Sequence, residues 1–464
     1  MPKSVPMIQA SPLERIRFMY EVSQNYLLPL ERFMQTYDEI FQFRLNGEEP
    51  VFSVFLPEHV QDVLIKNARS IIKGGDYTSE THGLARLMGR GLVTSEGEFW
   101  KRQRKMAAPA FHAQRVRNYA QTMVHYATAN VDQWQDGSQL DIAREMNHIT
   151  LDIISWTLMH DIERHQAETF VEALERLQKL FVYENFLPQW ITQPYWRLRG
   201  VKMTHVIDDI VYPIIEQRRA NLEDKGDLIS MLMLAEDADG NRMSDREVRD
   251  EIVTLMLAGH ETTANTLNWV LYALSQNPDI EKKLHTELDT VLQGREPGLA
   301  DLPNLPYTQM VIKEAMRLLP PVPGISRVTL EDIAVGDYVI PARRMLFVQT
   351  YLTHRHPKVW DNPLEFIPER FSPENEAKQH KWAYYPFGGG TRVCIGNSFA
   401  MMEAQLLLAT IASQFSLRLA PNAKVVPQPA ITMYPRYGLP MIATRRAPRL
   451  QKSTERAEEM AFAH

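Results

Sequence analysis

The 464-residue chain contains one cysteine, Cys394, and this scarcity excludes several kinds of site. A single thiol forms no intrachain disulfide, and one sulfur with scattered histidines does not build a tetrahedral zinc or an iron–sulfur centre. No apolar run reaches the roughly 18 residues of a membrane-spanning helix, and residues 1–11 lack the pattern of a signal peptide. The net charge of −6 gives no case for nucleic-acid binding. We therefore expect a cytoplasmic protein without a membrane anchor.

The cysteine lies in a glycine-rich loop that leads into an apolar segment, where we predict a helix from about Asn397. Thiolate character is favoured where backbone N–H groups and the positive end of a helix dipole converge. Glycines let a backbone approach a flat macrocycle, and a lone thiolate can be the axial ligand of a haem iron. The alternative is a buried structural thiol. The glycines of this loop are Gly388, Gly389, Gly390 and Gly396.

The loop fits the pattern F-x-x-G-x-R-x-C-x-G at every fixed position of residues 387–396. This pattern resembles the haem-binding loop of the cytochrome P-450 superfamily. The resemblance implies that Cys394 binds the iron of haem b and that Arg392 pairs with a haem propionate. It also implies that three further residues of the loop contact the cofactor, namely Phe387, Gly388 and Gly396.

A single long helix is predicted between Ser244 and Gln276. Ser244 and Glu247 form an S-x-x-E capping box, and Asn277-Pro278 supplies the stop. The middle of the segment is apolar on nearly every side, so we expect the helix to be buried.

A polar motif, A-G-H-E-T-T at residues 258–263, interrupts this apolar helix. Because Thr262 follows Ala258 by one turn, its hydroxyl can bond the Ala258 carbonyl and open a groove, while Gly259 leaves room for a cofactor. The motif resembles the A-G-x-[DE]-T oxygen-activation motif of the family. The resemblance implies that Glu261 relays protons and that Thr262 orients peroxide and water. The alternative is an ordinary helix with a self-satisfied threonine.

Two further motifs predict a structural charge network. Glu314 and Arg317 form E-x-x-R on a helical stretch that ends at Pro320-Pro321, and Arg370 lies in P-E-R-F. The resemblance implies that these three side chains form a buried triad that locks the scaffold next to the thiolate.

Weaker candidates for haem propionate contacts are Trp100 and Arg104, which match W-x-x-x-R, together with Arg327 and His354. A basic surface helix is the alternative for the first pair, and a structural hydrogen bond is the alternative for His354. Four cations cluster on the helix that carries Arg104, and some of them could receive an acidic redox protein, although a solvated basic face is at least as probable: Lys101, Arg102, Arg104 and Lys105.

We expect a mainly α protein with small β-sheets, an α+β chain with the cytochrome P-450 fold, in which haem lies between the long helix and the cysteine loop. Helical patterns dominate from about residue 58 to 320. Strands are predicted over 41–45 and 51–55, joined across Asn46-Gly47, and over 335–340. Residues 1–446 are predicted to form one domain, and 447–464 a frayed, charged tail.

The resemblance implies a monooxygenase that inserts one atom of dioxygen into a C–H or C=C bond of an apolar substrate. No flavin, nicotinamide or iron–sulfur domain is recognisable, so electrons are expected from a separate ferredoxin or flavodoxin and its reductase. A peroxide-driven peroxygenase, an isomerase or dehydratase, and a haem-thiolate sensor or carrier are the alternatives. The substrate pocket is expected at the upper face of the long helix and at residues 74–92, 181–196, 322–325 and 431–434.

Overall fold

The computed structural model describes residues 3–8, 17–18, 20–22, 24–44, 49–160, 162–186, 192–194 and 196–446. The predicted turn at Asn46-Gly47 and the tail 447–464 lie outside the described residues. No helix within the described ranges is both long and apolar enough to cross a membrane.

Helices dominate the fold. Ten of those in the described ranges have eleven or more residues: α1 Leu27–Tyr37, α2 Gly97–Ala107, α3 Ala120–Val131, α4 Ile142–Leu158, α5 Arg164–Phe186, α6 Val201–Ala220, α7 Asp245–Gln276, α8 Pro278–Leu292, α9 Pro306–Leu318 and α10 Asn397–Gln414. Shorter α-helical, π-helical and 3₁₀ segments connect them: Pro57–Gln61, Asp62–Lys66, Gly75–Thr78, Ala85–Met88, Ala108–Phe111, Ala113–Asn118, Trp196–Gly200, Leu228–Leu234, Leu299–Asn304, Thr350–Thr353, Pro368–Phe371, Pro373–Glu376 and Gly390–Arg392.

The strands are short: β1 Lys3–Ser4, β2 Ile40–Phe43, β3 Val51–Val54, β4 Ile71–Ile72, β5 Gln139–Asp141, β6 Ile325–Thr329, β7 Ile333–Val335, β8 Tyr338–Ile340, β9 Met345–Val348, β10 Phe415–Leu419, β11 Pro427–Pro429, β12 Met433–Pro435 and β13 Pro440–Arg445. The largest described sheet has the order β2-β3-β9-β6-β4, and the others are β10-β13-β5, β1-β8-β7 and β11-β12.

The two predicted N-terminal strands pair as expected, since β2 and β3 are antiparallel with Ile40 opposite Val54. The single strand predicted over 335–340 is wrong. The chain turns at Gly336, whose φ of +55° favours glycine, so this stretch contributes to the β7–β8 hairpin instead.

The long helix α7 organises the core. Its predicted capping box is present, because the Ser244 side chain accepts from the Glu247 backbone and the Glu247 carboxylate accepts from the Ser244 N–H at 2.7 Å. The helix has 32 residues and packs against α4, α6, α9 and α10. Helix α10 is itself buried through most of its length, which fixes the loop that precedes it.

Candidate active site

A cavity of about 1890 Å³ lies between α7 and the loop before α10. Its walls bring together most of the predicted site residues, although these are widely separated in the sequence: Trp100, Arg104, Ala258, Gly259, Thr262, Arg327, Phe387, Gly388, Arg392, Cys394 and Gly396.

Cys394 lies exposed on the wall of this cavity, at the end of the glycine-rich loop. Its backbone N–H donates to the Phe387 carbonyl at 3.0 Å, which closes the loop on itself. Surrounding protein atoms desolvate the sulfur and raise the pKa of the thiol, while the Gly396 N–H and the Arg104 guanidinium act in the opposite direction. The backbone N–H alone therefore does not make the free thiol acidic, and a bound metal cation would stabilise the thiolate.

The glycines of the loop divide into two groups. Gly388 has a φ of +69°, and nothing lies within 4 Å of the place a Cβ would take, so its backbone is open toward the cavity. A Cβ on Gly389 would overlap the Trp382 ring, and one on Gly390 would lie 2.5 Å from the Leu64 carbonyl oxygen. The expectation that all four glycines approach a macrocycle is therefore wrong for Gly389 and Gly390. These two glycines let the loop pack closely against Trp382 and Leu64.

On α7, Thr262 Oγ1 donates to the Ala258 carbonyl at 2.6 Å, as the spacing predicts. Thr266 repeats the arrangement one turn later with the Thr262 carbonyl at 2.9 Å. The sequence predicts that glycine at position 259 leaves room for a cofactor, but the structure gives a different reason for a glycine there. A Cβ on Gly259 would lie 2.7 Å from Ile154 Cδ1 on α4. Its missing side chain allows close helix packing, while its backbone lines the cavity.

Glu261 lies behind the cavity wall. One carboxylate oxygen accepts from Thr432 Oγ1 at 2.6 Å, and the other accepts from Gln178 Nε2 on α5 at 2.9 Å. Burial raises the pKa of Glu261, and these two hydrogen bonds oppose the rise only in part. The residue is thus a half-buried acid held by two neutral partners.

A group of cations also lines the cavity. Arg392 stacks over the Trp100 ring with its Cζ atom 3.3 Å from the ring centroid, and it forms an ion pair with Glu96. Its Nη1 atom is nevertheless buried with no hydrogen-bond partner among the described residues. Arg327 is 7% exposed, and its described hydrogen bond is the one from Nη1 to the Ser326 carbonyl at 2.7 Å.

Sequence reasoning missed Lys73, the fourth cation of this wall beside Arg104, Arg327 and Arg392. Its Nζ donates to the carbonyls of Leu92 at 2.8 Å and Ser95 at 3.2 Å. Burial, with the nearby arginines, lowers its pKa to about 6. No motif surrounds Lys73, so only the fold reveals it.

His354 does not reach the cavity wall, which corrects its prediction as a propionate contact. Its Nε2 accepts from the Tyr385 backbone N–H at 3.0 Å, and its ring stacks on Tyr384 at 5.2 Å between centroids. Complete burial, with Arg317 nearby, lowers its pKa to about 3. The structural hydrogen bond, which was the alternative, is what the protein contains.

The predicted charge network is present beneath the cysteine loop. Arg317 donates to both carboxylate oxygens of Glu314, at 2.7 and 2.8 Å, and Arg370 Nε donates to the same carboxylate at 3.3 Å. Glu314 and Arg317 are fully buried.

The cytochrome P450 family model matches residues 11–437. The chain belongs to the cytochrome P450 family. It is 33% identical to cyclooctatin synthase of Streptomyces melanosporofaciens, over 86% of this chain and 87% of that protein. It is 32% identical to pentalenene oxygenase of Streptomyces avermitilis, over 84% and 87% of the two chains. The crystal structure of cytochrome P450DA heme domain superposes with a TM-score of 0.87 at 25% identity, covering 98% of this chain and 100% of that one.

As a cytochrome P450, the protein is a haem-dependent monooxygenase, and the cavity fits a haem-thiolate centre. It holds the one thiol of the chain, an open glycine backbone beside it and an unpartnered Arg392 Nη1. Arg327 is buried without a described carboxylate partner, and Arg392 keeps a free donor beside its ion pair with Glu96. Both suit the two carboxylates of a haem, since an unpaired buried charge is costly.

The basic face predicted for a redox protein is corrected for two of its members. Arg102 donates to Asp237 at 2.7 Å and to Glu247 at 2.6 Å, so this P450 uses the residue to anchor the start of α7. Arg104 is turned into the cavity instead.

The predicted substrate stretches 74–92, 322–325 and 431–434 contribute to the cavity wall, whereas residues 187–191 and 195 lie outside the described residues. Sequence reasoning missed an apolar part of the cavity wall that comes from the N-terminal segment, for which the aromatic content of 26–43 was the available signal: Tyr26, Leu30, Phe33 and Phe43.

Proposed function

We propose that this P450 holds haem b through Cys394 and inserts one atom of dioxygen into a C–H or C=C bond of an apolar substrate. Electrons come from a separate ferredoxin or flavodoxin and its reductase. The observation that carries the proposal is one cavity that is lined by a lone thiol and by Thr262 of α7, with the half-buried acid Glu261 behind its wall.

The cation wall would hold the propionates of the cofactor. Its N–H donors come from buried Arg327 and Lys73 and from half-buried Arg392 and Arg104, and charge-assisted hydrogen bonds from such groups are strong. When bound, haem supplies the reductive activation of dioxygen, and its thiolate ligand favours cleavage of the O–O bond.

Residues of α7 handle protons. Since the Thr262 hydroxyl donates to the Ala258 carbonyl, its oxygen lone pairs remain available as acceptors on the cavity side. Glu261 is available as a proton source because burial raises its pKa toward the working range of a general acid.

An alicyclic hydrocarbon substrate such as a terpene is proposed. Relatives at 32% identity carry the names pentalenene oxygenase and cyclooctat-9-en-7-ol 5-monooxygenase. The cavity wall beyond the thiol supports this choice because it is largely aliphatic and aromatic, which suits a ligand with few polar groups: Leu84, Met88, Leu255, Leu257, Val322 and Ile431.

The test compares two routes on the same terpene library. The reduced enzyme with dioxygen and a ferredoxin system is expected to form hydroxylated or epoxidised product, and hydrogen peroxide alone much less. Efficient turnover by peroxide alone would identify a peroxygenase instead. No oxygenated product by either route would favour a haem-thiolate sensor or carrier.

Thr262→Val sharpens the test by removing the hydroxyl and keeping the shape. We expect product per electron pair to fall by on the order of 10²-fold, the lower range for a positioned proton-transfer group, with released hydrogen peroxide rising in its place. Thr410→Val is the matched control, because Thr410 makes the same backbone bond, to Leu406 at 2.8 Å, away from the cavity. Equal product yields in the two variants would contradict the role of Thr262.

A further inference from the structure

Glu261 has no described hydrogen bond to Thr262, and it does not line the cavity. Of its two hydrogen-bond partners, Gln178 lies away from the wall, whereas Thr432 is part of it. Thr432 sits in the turn between β11 and β12, is 4% exposed, and bonds Glu261 at 2.6 Å. The direct polar connection from this acid to the cavity therefore runs through the Thr432 hydroxyl.

A second contact sets the direction of that hydroxyl. Asn265 Nδ2, one turn along α7 from Glu261, donates to Thr432 Oγ1 at 3.2 Å, and Asn268 Nδ2 donates to Asn265 Oδ1 at 3.3 Å. A hydroxyl has one donor and two acceptor positions. With Asn265 on one acceptor position, Thr432 keeps one proton and one lone pair for Glu261 and the cavity.

We propose that Thr432 is a second proton-relay residue, which carries protons from Glu261 into the cavity. The inference deepens the proposed function and rests on it. When Glu261 is ionised, the Thr432 O–H points at the carboxylate. When Glu261 is protonated, its own O–H donates to the free lone pair of Thr432, and the threonine proton turns toward the cavity.

One transfer leaves every proton accounted for. Thr432 releases its proton to an acceptor in the cavity, takes the proton of Glu261, and leaves Glu261 as a carboxylate. The carboxylate then accepts from Gln178 Nε2 and again from Thr432, as in the structure, until it is protonated anew. Solvent supplies the proton that returns Glu261 to its acid form, so each cycle forms and breaks O–H bonds only and moves one proton from solvent to the cavity acceptor.

Thr432→Val tests the relay, since valine keeps the shape and removes the hydroxyl. We expect product per electron pair to fall roughly 10- to 100-fold, within the range of one proton-transfer group, with hydrogen peroxide rising and a larger solvent deuterium isotope effect on product formation. Thr432→Ser is expected to restore most of the yield. Thr410→Val removes a buried hydroxyl away from the cavity and is expected to leave the ratio of product to peroxide unchanged.

A double variant separates a relay from a packing role. In a Glu261→Gln background, Thr432→Val should cause little further loss of product, because both changes interrupt the same path. Additive losses, or a Thr432→Val enzyme with the wild-type product ratio, would overturn the inference. Infrared spectra give a readout without turnover: a carboxyl band that Glu261→Gln abolishes should shift in Thr432→Val, and an unmoved band would also count against the relay.

Turnover by the wild-type enzyme shows whether a negative result rules out the Thr432 relay or the proposed monooxygenase function. If the unaltered enzyme forms no oxygenated product while its infrared band responds to Thr432→Val, the hydrogen bond exists but the monooxygenase proposal fails. If the wild type forms product, and Thr432→Val changes neither the product ratio nor the infrared band, only the relay is overturned.

Discussion

Two regions of this P450 contain arginines whose hydrogen-bonding groups are satisfied to very different degrees. Beneath the cysteine loop, Arg317 uses all five of its N–H groups, two on Glu314 and three on the carbonyls of His354, Pro363 and Glu365. In the cavity wall, Arg392 leaves Nη1 without a described partner, and Arg327 has one described hydrogen bond, to a carbonyl.

This difference separates structural charge from binding charge. A buried ion with a complete set of partners is stable within the folded chain, whereas one with free donors costs free energy until an anion arrives. Removing a member of the first region should therefore harm the fold. Removing a member of the second should chiefly harm the retention of the cofactor.

Arg317→Ala should show the largest effect. It removes the bidentate partner of the Glu314 carboxylate and the donor to three backbone carbonyls, and the loss of one partner of a buried ion pair costs about 3–5 kcal/mol. We expect little folded protein and no haem incorporation, measured by denaturant unfolding and by the ratio of haem to protein absorbance.

Lys313→Ala is the matched control on the same helix. Its ion pair with Glu376 at 2.8 Å joins side chains that are 20% and 45% exposed, so we expect a loss below about 1 kcal/mol. A soluble Arg317→Ala protein with normal haem content would contradict the structural role of the triad.

Lys73→Met should show a smaller effect that depends on pH. The pKa of Lys73 falls from 10.5 in the unfolded chain to about 6 in the fold. Between these values the unfolded chain binds more protons, so the stability of the haem-free protein rises with pH, by at most about 1.4 kcal/mol per pH unit from this one group. Chemical denaturation from pH 6 to 9 should show a shallower rise in Lys73→Met.

Binding of haem should remove the same slope, because propionates beside Lys73 would return its pKa toward the ordinary value. The identical pH dependence of haem-free wild type and Lys73→Met would show that Lys73 stays charged without an anion.

The local contacts that depend on sequence spacing could be predicted from the sequence. The capped helix α7, the back-bond of Thr262 and the Glu314–Arg317 pair follow from neighbours within one helical turn, where geometry is nearly independent of the rest of the fold. The contact of Arg370 with this pair was predicted only from the family resemblance, because Arg370 lies far from both residues in the sequence.

Contacts between distant segments were not predictable in the same way. Lys73 carries no motif, and its burial among arginines arises from segments more than two hundred residues apart. Thr432 meets Glu261 across 171 positions, and His354 turns inward because Tyr385 offers it a backbone N–H. Each depends on tertiary packing, which a local pattern does not encode.

Arg327→Gln should show the smallest effect and the one that most directly contrasts with Arg317→Ala. Glutamine keeps a donor but removes a buried charge, so the haem-free fold should be as stable as the wild type or more so. Loss of one charge-assisted hydrogen bond to a propionate corresponds to about tenfold faster release of haem, measured by transfer to an apomyoglobin acceptor. If Arg327→Gln instead unfolds the protein and leaves haem release unchanged, the cations of the cavity wall are structural, and the distinction between the two regions fails.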